Sequence, residues 1–140
     1  GRQVSLAKTA DDMRRILTMT AARPLLFQRF IAESAGEDLR IYVVGGQVIA
    51  AIRRVNQAGD FRANLENGGK AYACIPTPEE AALAIAACET VHADFAGVDI
   101  LRSQDGPLIC EINSNAHFLG LRAETGVNPA EHILRLIRDA

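Results

Sequence analysis

The sequence predicts an α+β domain, in which an antiparallel sheet has helices packed on one face. Two hairpins carry this prediction. In the first, residues 38–44 and 47–54 flank Gly45-Gly46, a two-residue turn whose positive backbone angles glycine tolerates. In the second, apolar runs at 97–101 and 108–113 flank Asp105-Gly106-Pro107. Helical patterns occur before, between and after the hairpins, and this mixture is typical of an α+β fold.

Three segments carry a helix start signal, each a capping residue followed by acids and by apolar residues at helical spacing. The signals are Thr9 with Asp11 and Asp12, before a helix from about Ala10 to Thr20, then Thr77 with Pro78 and Glu80, and Asn128 with Pro129 and Glu131. Residues 25–31 are strand-like. Residues 56–70 are polar and glycine-containing, which predicts a loop of the length that is usually functional or mobile.

Each strand of the second hairpin carries one acid inside its apolar run, Asp99 in the first strand and Glu111 in the second. If the hairpin folds about Asp105, Asp99 lies opposite Glu111, and period-two alternation places Asn113 beside Glu111. Two opposed carboxylates on a mostly buried sheet repel each other unless a cation or proton lies between them. The pattern indicates a divalent metal, and magnesium is favoured because it prefers oxygen ligands. The alternative is a pair of edge-strand acids that face water.

Arginines supply the positive charge that a phosphate ligand needs. Arg40, Arg53 and Arg62 are the candidates, because a guanidinium binds phosphate oxygens with two donors and keeps its charge. Pairing about the first turn sets Asp38 opposite Arg53 on the face that carries Arg40. On this register the other face is apolar, with Leu39, Ile41, Val43, Val48, Ala50 and Ile52. Each arginine alone also fits a solvated surface role, and Arg53 could simply pair with Asp38.

Composition excludes several classes of function. The formal net charge is −2, which gives no electrostatic footprint for nucleic acid. No apolar run approaches the ~20 residues of a membrane helix, so neither nucleic acid nor a membrane is an expected partner, and a cytoplasmic location is expected. Neither a Walker loop nor a dinucleotide-binding glycine motif is present, so any nucleotide must be held in another way.

Five blocks of sequence, taken in order, resemble the carboxy-terminal half of a RimK-type ATP-grasp ligase. The blocks are Gln28-Arg29-Phe30-Ile31, Gly36-Glu37-Asp38-Leu39-Arg40, residues 59–64 with Gly68-Gly69, residues 96–102, and Glu111-Ile112-Asn113-Ser114. The resemblance implies that residues 1–140 form a single domain, the carboxy-terminal lobe of an ATP-grasp domain. It also implies that the family's amino-terminal domain and first ATP-grasp lobe, with its phosphate-binding lysine, are absent from this chain.

Carried over position by position, the resemblance implies a site for ATP and Mg²⁺ (or Mn²⁺). Adenine would lie against Gln28, Arg29, Phe30 and Ile31, the ribose near Asp38, and the phosphates near Arg62 and Asn64. The implied metal ligands are Asp99, Glu111 and Asn113. Arg40 and Arg53, with Arg62, would be the catalytic cations for the transferring phosphoryl group, and His117 is a candidate substrate contact.

The implied activity is that of an ATP- and magnesium-dependent carboxylate-amine ligase. In the family ATP forms an acyl phosphate on a carboxylate acceptor, and an amine, typically that of an amino acid such as glutamate, displaces phosphate to make an amide. The implied partners are therefore ATP, a carboxylate acceptor and an amino-acid donor, and a homo-oligomer is compatible with the sequence. The fragment alone is expected to be inactive.

Two departures from the family pattern keep other functions open. Arg29 stands where the family commonly has an acid, and Ala116-His117-Phe118 stands where many members carry Pro-Gly. One alternative is a non-catalytic nucleotide-binding regulatory module that kept the scaffold. The other is an ATP-grasp ligase with a different acceptor, such as a peptide or an amino-adipate carrier.

Overall fold

A computed structural model describes residues 4–20, 23–57, 59–63 and 69–139 of the protein. The chain divides into two compact units, Gly1–Phe30 and Ile31–Ala140. Of the residues that form the sequence blocks, Asn64 and Gly68 lie outside the described part. No helix in the part that the structure describes is long and apolar enough to cross a membrane.

The first unit contains helix α1 (Ala10–Met19), which begins and ends within one residue of the prediction. The Thr9 side chain accepts a hydrogen bond from the Asp12 backbone N–H, and the Asp12 side chain accepts one from the Thr9 N–H. The predicted strand at residues 25–31 is wrong, because these residues have no regular secondary structure. An apolar run becomes a strand only when a second strand pairs with it, and no described residue does so here.

The second unit is built on one antiparallel sheet of five strands in the order β3-β2-β1-β4-β5. The strands are β1 (Glu37–Val44), β2 (Gln47–Asn56), β3 (Gly69–Cys74), β4 (Phe95–Ser103) and β5 (Gly106–Asn113). Both predicted hairpins are confirmed, as β1-β2 and β4-β5. Strand β3 was not predicted, because its pairing with β2 depends on tertiary contacts that local sequence patterns do not reveal.

Helices cover both faces of this sheet, although only one covered face was expected. Helix α2 (Pro78–Thr90) packs its Ala84, Ala87 and Cys88 on the face formed by Leu39, Ile41, Val43, Val98 and Ile100. Helix α3 (Leu119–Thr125) buries Leu121 with Tyr42 and Ile52 on the opposite face. Helix α4 (Pro129–Asp139) lies at the β1-β2 turn, where Leu136 contacts Gly45.

Helix α2 is joined to β4 by a buried acid. The Thr77 hydroxyl accepts from the Glu80 N–H, and the Glu80 carboxylate accepts from the Thr77 N–H, as the predicted capping box requires. The same carboxylate, 4% exposed, accepts two hydrogen bonds from Arg102 at 2.6 and 3.1 Å. These bonds to Arg102, together with those to Thr77, outweigh burial and lower the pKa of Glu80. Glu80 therefore fixes α2 against the end of β4 as an ionised group.

Replacing Glu80 by Gln should destabilise the protein by about 1–3 kcal/mol at pH 7, because a charged hydrogen-bond acceptor is lost from a buried position. A lowered carboxyl pKa stabilises the fold above the unfolded pKa of about 4.3, and this stabilisation disappears as pH falls through the folded pKa. The difference between wild type and Glu80→Gln in urea unfolding should therefore shrink below about pH 4. Glu79→Gln, the exposed neighbour on the same turn, is the matched control. A difference that stays constant with pH would contradict this role for the Glu80 charge.

Candidate functional site

Asp99 lies opposite Glu111 across the β4-β5 hairpin, as the sequence predicts. The pairing shifts by one residue between Asp99 and Ile100, so the predicted register holds from Gly97 to Asp99. The two acids differ in exposure: Asp99 is buried in β4, whereas Glu111 is exposed on β5, an outer strand of the sheet. The interpretation of both as solvent-facing edge acids is therefore wrong for Asp99.

Two arginines hold the Asp99 carboxylate. Arg40 on β1 donates from Nε to Oδ1 at 2.6 Å and from Nη2 to Oδ2 at 2.7 Å. Arg54 on β2 donates from Nη2 to Asp99 Oδ2 at 2.8 Å. The Arg54 guanidinium also binds both oxygens of Asp38, each at 2.6 Å. We call these four residues, Asp38, Arg40, Arg54 and Asp99, the charge network.

The charge network is almost removed from water, since its four side chains are 5–13% exposed. Its two negative and two positive groups cancel formally, as buried charges require. Burial by itself lowers the pKa of Arg40, but the hydrogen bonds and charge of Asp99 outweigh it and the net shift is upward. Burial raises the pKa of the Asp38 carboxyl, and Arg54 offsets part of that rise. The arginines are therefore fixed cations on this face of the sheet.

Arg53 does not join this site. The predicted β1-β2 pairing holds at Val43 and Val44 but shifts by one residue between Tyr42 and Val43, so Asp38 pairs with Arg54 and Arg40 with Ile52. The prediction that Asp38 faces Arg53 is wrong for this reason. Ala50 and Ile52 correspondingly lie on the site face, not on the face of Leu39 and Ile41.

On the opposite face of the sheet, Arg53 pairs with Glu37 at 3.0 Å, and its guanidinium lies 5.7 Å from the centre of the Tyr72 ring. Both side chains of the Arg53–Glu37 ion pair are about 40% exposed, 42% and 36%. Arg54, which the sequence analysis missed, takes the expected place beside Asp38. Two consecutive residues in a strand point to opposite faces, so one of Arg53 and Arg54 had to lie on the face of Asp38. This alternation was the signal in the sequence that could have identified Arg54.

Arg62 lies in the loop before β3, in a fork-like contact with Asp60. Its Nε lies 3.0 and 3.1 Å from the two Asp60 oxygens, and its backbone N–H donates to Oδ1 at 2.9 Å. These bonds lower the pKa of Asp60 to about 2. The Arg62 side chain is therefore held by Asp60, two residues before it in the chain. Asn64, which was predicted to bind phosphate together with Arg62, lies outside the described residues.

The predicted adenine-binding residues are divided between the two units. Gln28, Arg29 and Phe30 end the first unit and are exposed, while Ile31 begins the second unit and is buried. Ile31 is followed by a 3₁₀ turn (Ala32–Ser34) whose Ser34 hydroxyl bonds both the N–H and the carbonyl of Arg102, each at 2.8 Å. The start of the second unit is thus fixed to β4.

The segment after Asn113 folds back over the site face. Asn113 Oδ1 accepts from the Asn115 N–H at 3.1 Å, and Ala116 is buried above Gly97. The Tyr42 hydroxyl donates to the His117 carbonyl at 2.6 Å, so the segment is tied to β1 two residues beyond Arg40. The His117 residue itself is exposed. The backbone of this candidate substrate contact therefore lies over Tyr42, on the face of the sheet that carries the charge network.

The donor set suits a hard cation. Asp99 and Glu111 are opposite each other, and Asn113 follows Glu111 on the same face, which offers two carboxylates and one amide oxygen. Among the described residues, no group of three or more His, Cys, Asp and Glu side chains is arranged to hold a metal. The two carboxylates and the amide of this set are oxygen donors, the type of ligand that Mg²⁺ prefers.

Comparison with known proteins finds a family model, described as the RimK-like ATP-grasp domain, that matches residues 1–137. The chain is 44% identical over 139 residues to a probable alpha-L-glutamate ligase 1 of Shewanella frigidimarina, covering 98% of this chain and 46% of that protein. It is 46% identical over 113 residues to the ribosomal protein bS6–L-glutamate ligase of Salmonella newport, covering 81% of this chain and 38% of that protein. The chain thus spans less than half the length of these relatives.

Solved structures of the ATP-grasp ligase PsnB have the same fold. The complex with minimal precursor superposes with a TM-score of 0.68 and 28% identity, over 94% of this chain and 42% of PsnB. A complex of PsnB with a phosphomimetic variant of the minimal precursor, Mg and ADP gives a TM-score of 0.62 and 30% identity, over 86% of this chain and 36% of PsnB.

Gly97 leaves room for Ala116, because a Cβ at position 97 would lie 2.6 Å from the Ala116 Cβ. Gly97→Ala should therefore destabilise the protein by about 1–3 kcal/mol through overpacking. Adding Ala116→Gly removes the clashing atom and should restore part of this loss, which a double-mutant cycle in urea unfolding measures. Strictly additive effects would contradict the packing of the 116–118 segment on β4.

Proposed function

Because this chain belongs to the RimK-like ATP-grasp family, we propose that it is the carboxy-terminal part of an ATP-dependent carboxylate-amine ligase. In the proposed reaction an acceptor carboxylate attacks the γ-phosphorus of ATP, giving an acyl phosphate and ADP. The amine of an amino acid such as glutamate then attacks the acyl carbon, and phosphate leaves as the amide forms and the amine loses a proton. The first ATP-grasp lobe and an amino-terminal domain are supplied outside residues 1–140.

The observation that carries this proposal is the charge network facing Glu111 and Asn113 on one face of the sheet. Phosphoryl transfer depends on fixed positive groups and on metal ligands more than on covalent chemistry by the protein. Arg40 supplies a cation whose orientation Asp99 fixes with two hydrogen bonds. In the proposed site Arg40 therefore stabilises charge on the transferring phosphoryl group without first having to reorganise.

The remaining nucleotide contacts are those that the family resemblance implies. Asp38 accepts the ribose hydroxyls, since a carboxylate is a suitable acceptor for a vicinal diol. Arg62, with Asn64, binds the phosphates, and residues 28–31 bind adenine. For Arg62 this means that the contact with Asp60 is shared with, or exchanged for, a phosphate oxygen.

Asp99, Glu111 and Asn113 would hold Mg²⁺ or Mn²⁺, for which their oxygen atoms are suitable ligands. The ion would neutralise charge on the nucleotide phosphates. The chain's own contribution is to orient the Asp99 carboxylate through hydrogen bonds from its two arginines, while Glu111 stays accessible at the outer strand. The proposed acceptor is a carboxylate on a protein or peptide, which enters beside His117.

Replacing Glu111 by Ala in the complete protein should lower amino-acid-dependent release of ADP by more than about 100-fold, because a metal ligand is worth at least as much as its outer-shell partners. Glu111 is a better position for this test than Asp99, because it is exposed and not buried. Asp99→Ala should also abolish turnover, but it removes the carboxylate partner of the buried Arg40 and one of the two partners of Arg54, and so costs about 3–5 kcal/mol of stability.

Asp105→Ala is the matched control, because Asp105 is an exposed acid at the turn of the same hairpin. Normal ADP release is expected from this variant. Near-normal turnover by Glu111→Ala would overturn the metal assignment. Absence of any amino-acid-dependent ADP release from the wild-type protein, with folding intact, would instead favour a non-catalytic nucleotide-binding module.

A further inference from the structure

Arg54 binds carboxylates on two different strands. Its Nη2 donates to Asp38 Oδ2 on β1 at 2.6 Å and to Asp99 Oδ2 on β4 at 2.8 Å, while its Nε donates to Asp38 Oδ1 at 2.6 Å. Because β1 lies between β2 and β4, the side chain crosses one strand to reach Asp99. A single nitrogen atom thus connects the two acids.

Stability alone gives little reason for this arrangement. A buried ion pair pays a desolvation cost that can equal or exceed its attraction, and well-packed apolar residues often replace it without loss. The Arg54 side chain is 5% exposed, and the carboxylates it joins are 12% and 7% exposed. What the apolar alternative cannot provide is a fixed orientation of Asp38 relative to Asp99.

We propose that Arg54 is a positioning residue that couples nucleotide binding at Asp38 to metal binding at Asp99. The inference rests on the proposed function, which assigns these two carboxylates to the ribose and to the metal. A ligand that orders Asp38 also orders the Arg54 guanidinium, whose Nη2 atom then holds Oδ2 of Asp99 in place. Each event therefore favours the other, as coupled equilibria require.

Replacing Arg54 by Lys tests whether the planar geometry of the guanidinium matters in addition to its positive charge. Arg54→Lys keeps the positive charge, but a single ammonium group lacks the planar fork that binds Asp38 with two nitrogens and Asp99 with one of them. Arg102→Lys is the matched control. Arg102 also binds a buried carboxylate with two nitrogens, but that carboxylate, Glu80, belongs to α2.

The test measures ADP binding to the complete protein by calorimetry, once with Mg²⁺ and once with EDTA. For the wild type, Mg²⁺ should strengthen ADP binding, and the ratio of the two dissociation constants defines the coupling. Arg54→Lys should reduce this ratio by about 10-fold, the size typical of a lost outer-shell partner of a metal ligand. Arg102→Lys should lower the melting temperature but leave the ratio unchanged.

The outcomes distinguish this inference from the proposed function. If the wild type shows no effect of Mg²⁺ on ADP binding, both are overturned. If the wild-type effect is present and folded Arg54→Lys retains the full ratio, the positioning role alone is overturned. If Arg54→Lys fails to fold, Asp38→Asn tests the same coupling by weakening the bond between Asp38 and Arg54. A reduced ratio of the two dissociation constants would then support the coupling, and an unchanged ratio would overturn it.

Discussion

The Asp99 carboxylate is the group on which the site depends. Asp99 is only 5% exposed, and burying a carboxylate is costly unless cations and hydrogen bonds compensate it; here Arg40 and Arg54 supply three hydrogen bonds. These bonds orient Arg40 and, through Arg54, Asp38 as well. The arginines thus satisfy Asp99 before any metal binds. In the proposed site, a cation would meet a carboxylate already shared with two positive groups, so the exposed Glu111 and the phosphates of a nucleotide would have to supply much of the negative charge that attracts it.

Two one-residue irregularities in the sheet bring these groups together. The shift between Tyr42 and Val43 places Arg54, and not Arg53, on the face of Asp38 and Arg40. In the second hairpin, Ile100 pairs with Ile109, and the extra residue Cys110 at the shift brings Glu111 opposite Asp99. A change of one residue in register exchanges the two faces of a strand. The fold therefore determines the identity of the site's second arginine through a local feature of the backbone.

Local signals in the sequence were sufficient for much of this fold. The Thr77–Glu80 capping box, the Gly45-Gly46 turn and the Asp99–Glu111 pairing involve residues close in the chain, and all three are confirmed. Residues 25–31, β3 and α3 were mispredicted or missed because partners distant in sequence decide their structure. Arg54 was missed because the bulge that places it opposite Asp38 cannot be recognised from the alternation of polar and apolar residues in the strand. The resemblance to the family supplied what residue patterns alone left open, namely which phosphate chemistry the acids and arginines fit.

An amide NMR titration of the complete protein with ADP and Mg²⁺ tests whether this face of the sheet binds nucleotide and metal together. We expect the largest changes in chemical shift at residues 38–42 of β1, 97–99 of β4 and 111–117 in and after β5. These changes should be larger with Mg²⁺ than with EDTA. Changes centred on α2 and on the face of Glu37 and Arg53, with the charge network unaffected, would show that nucleotide and metal do not bind at this face.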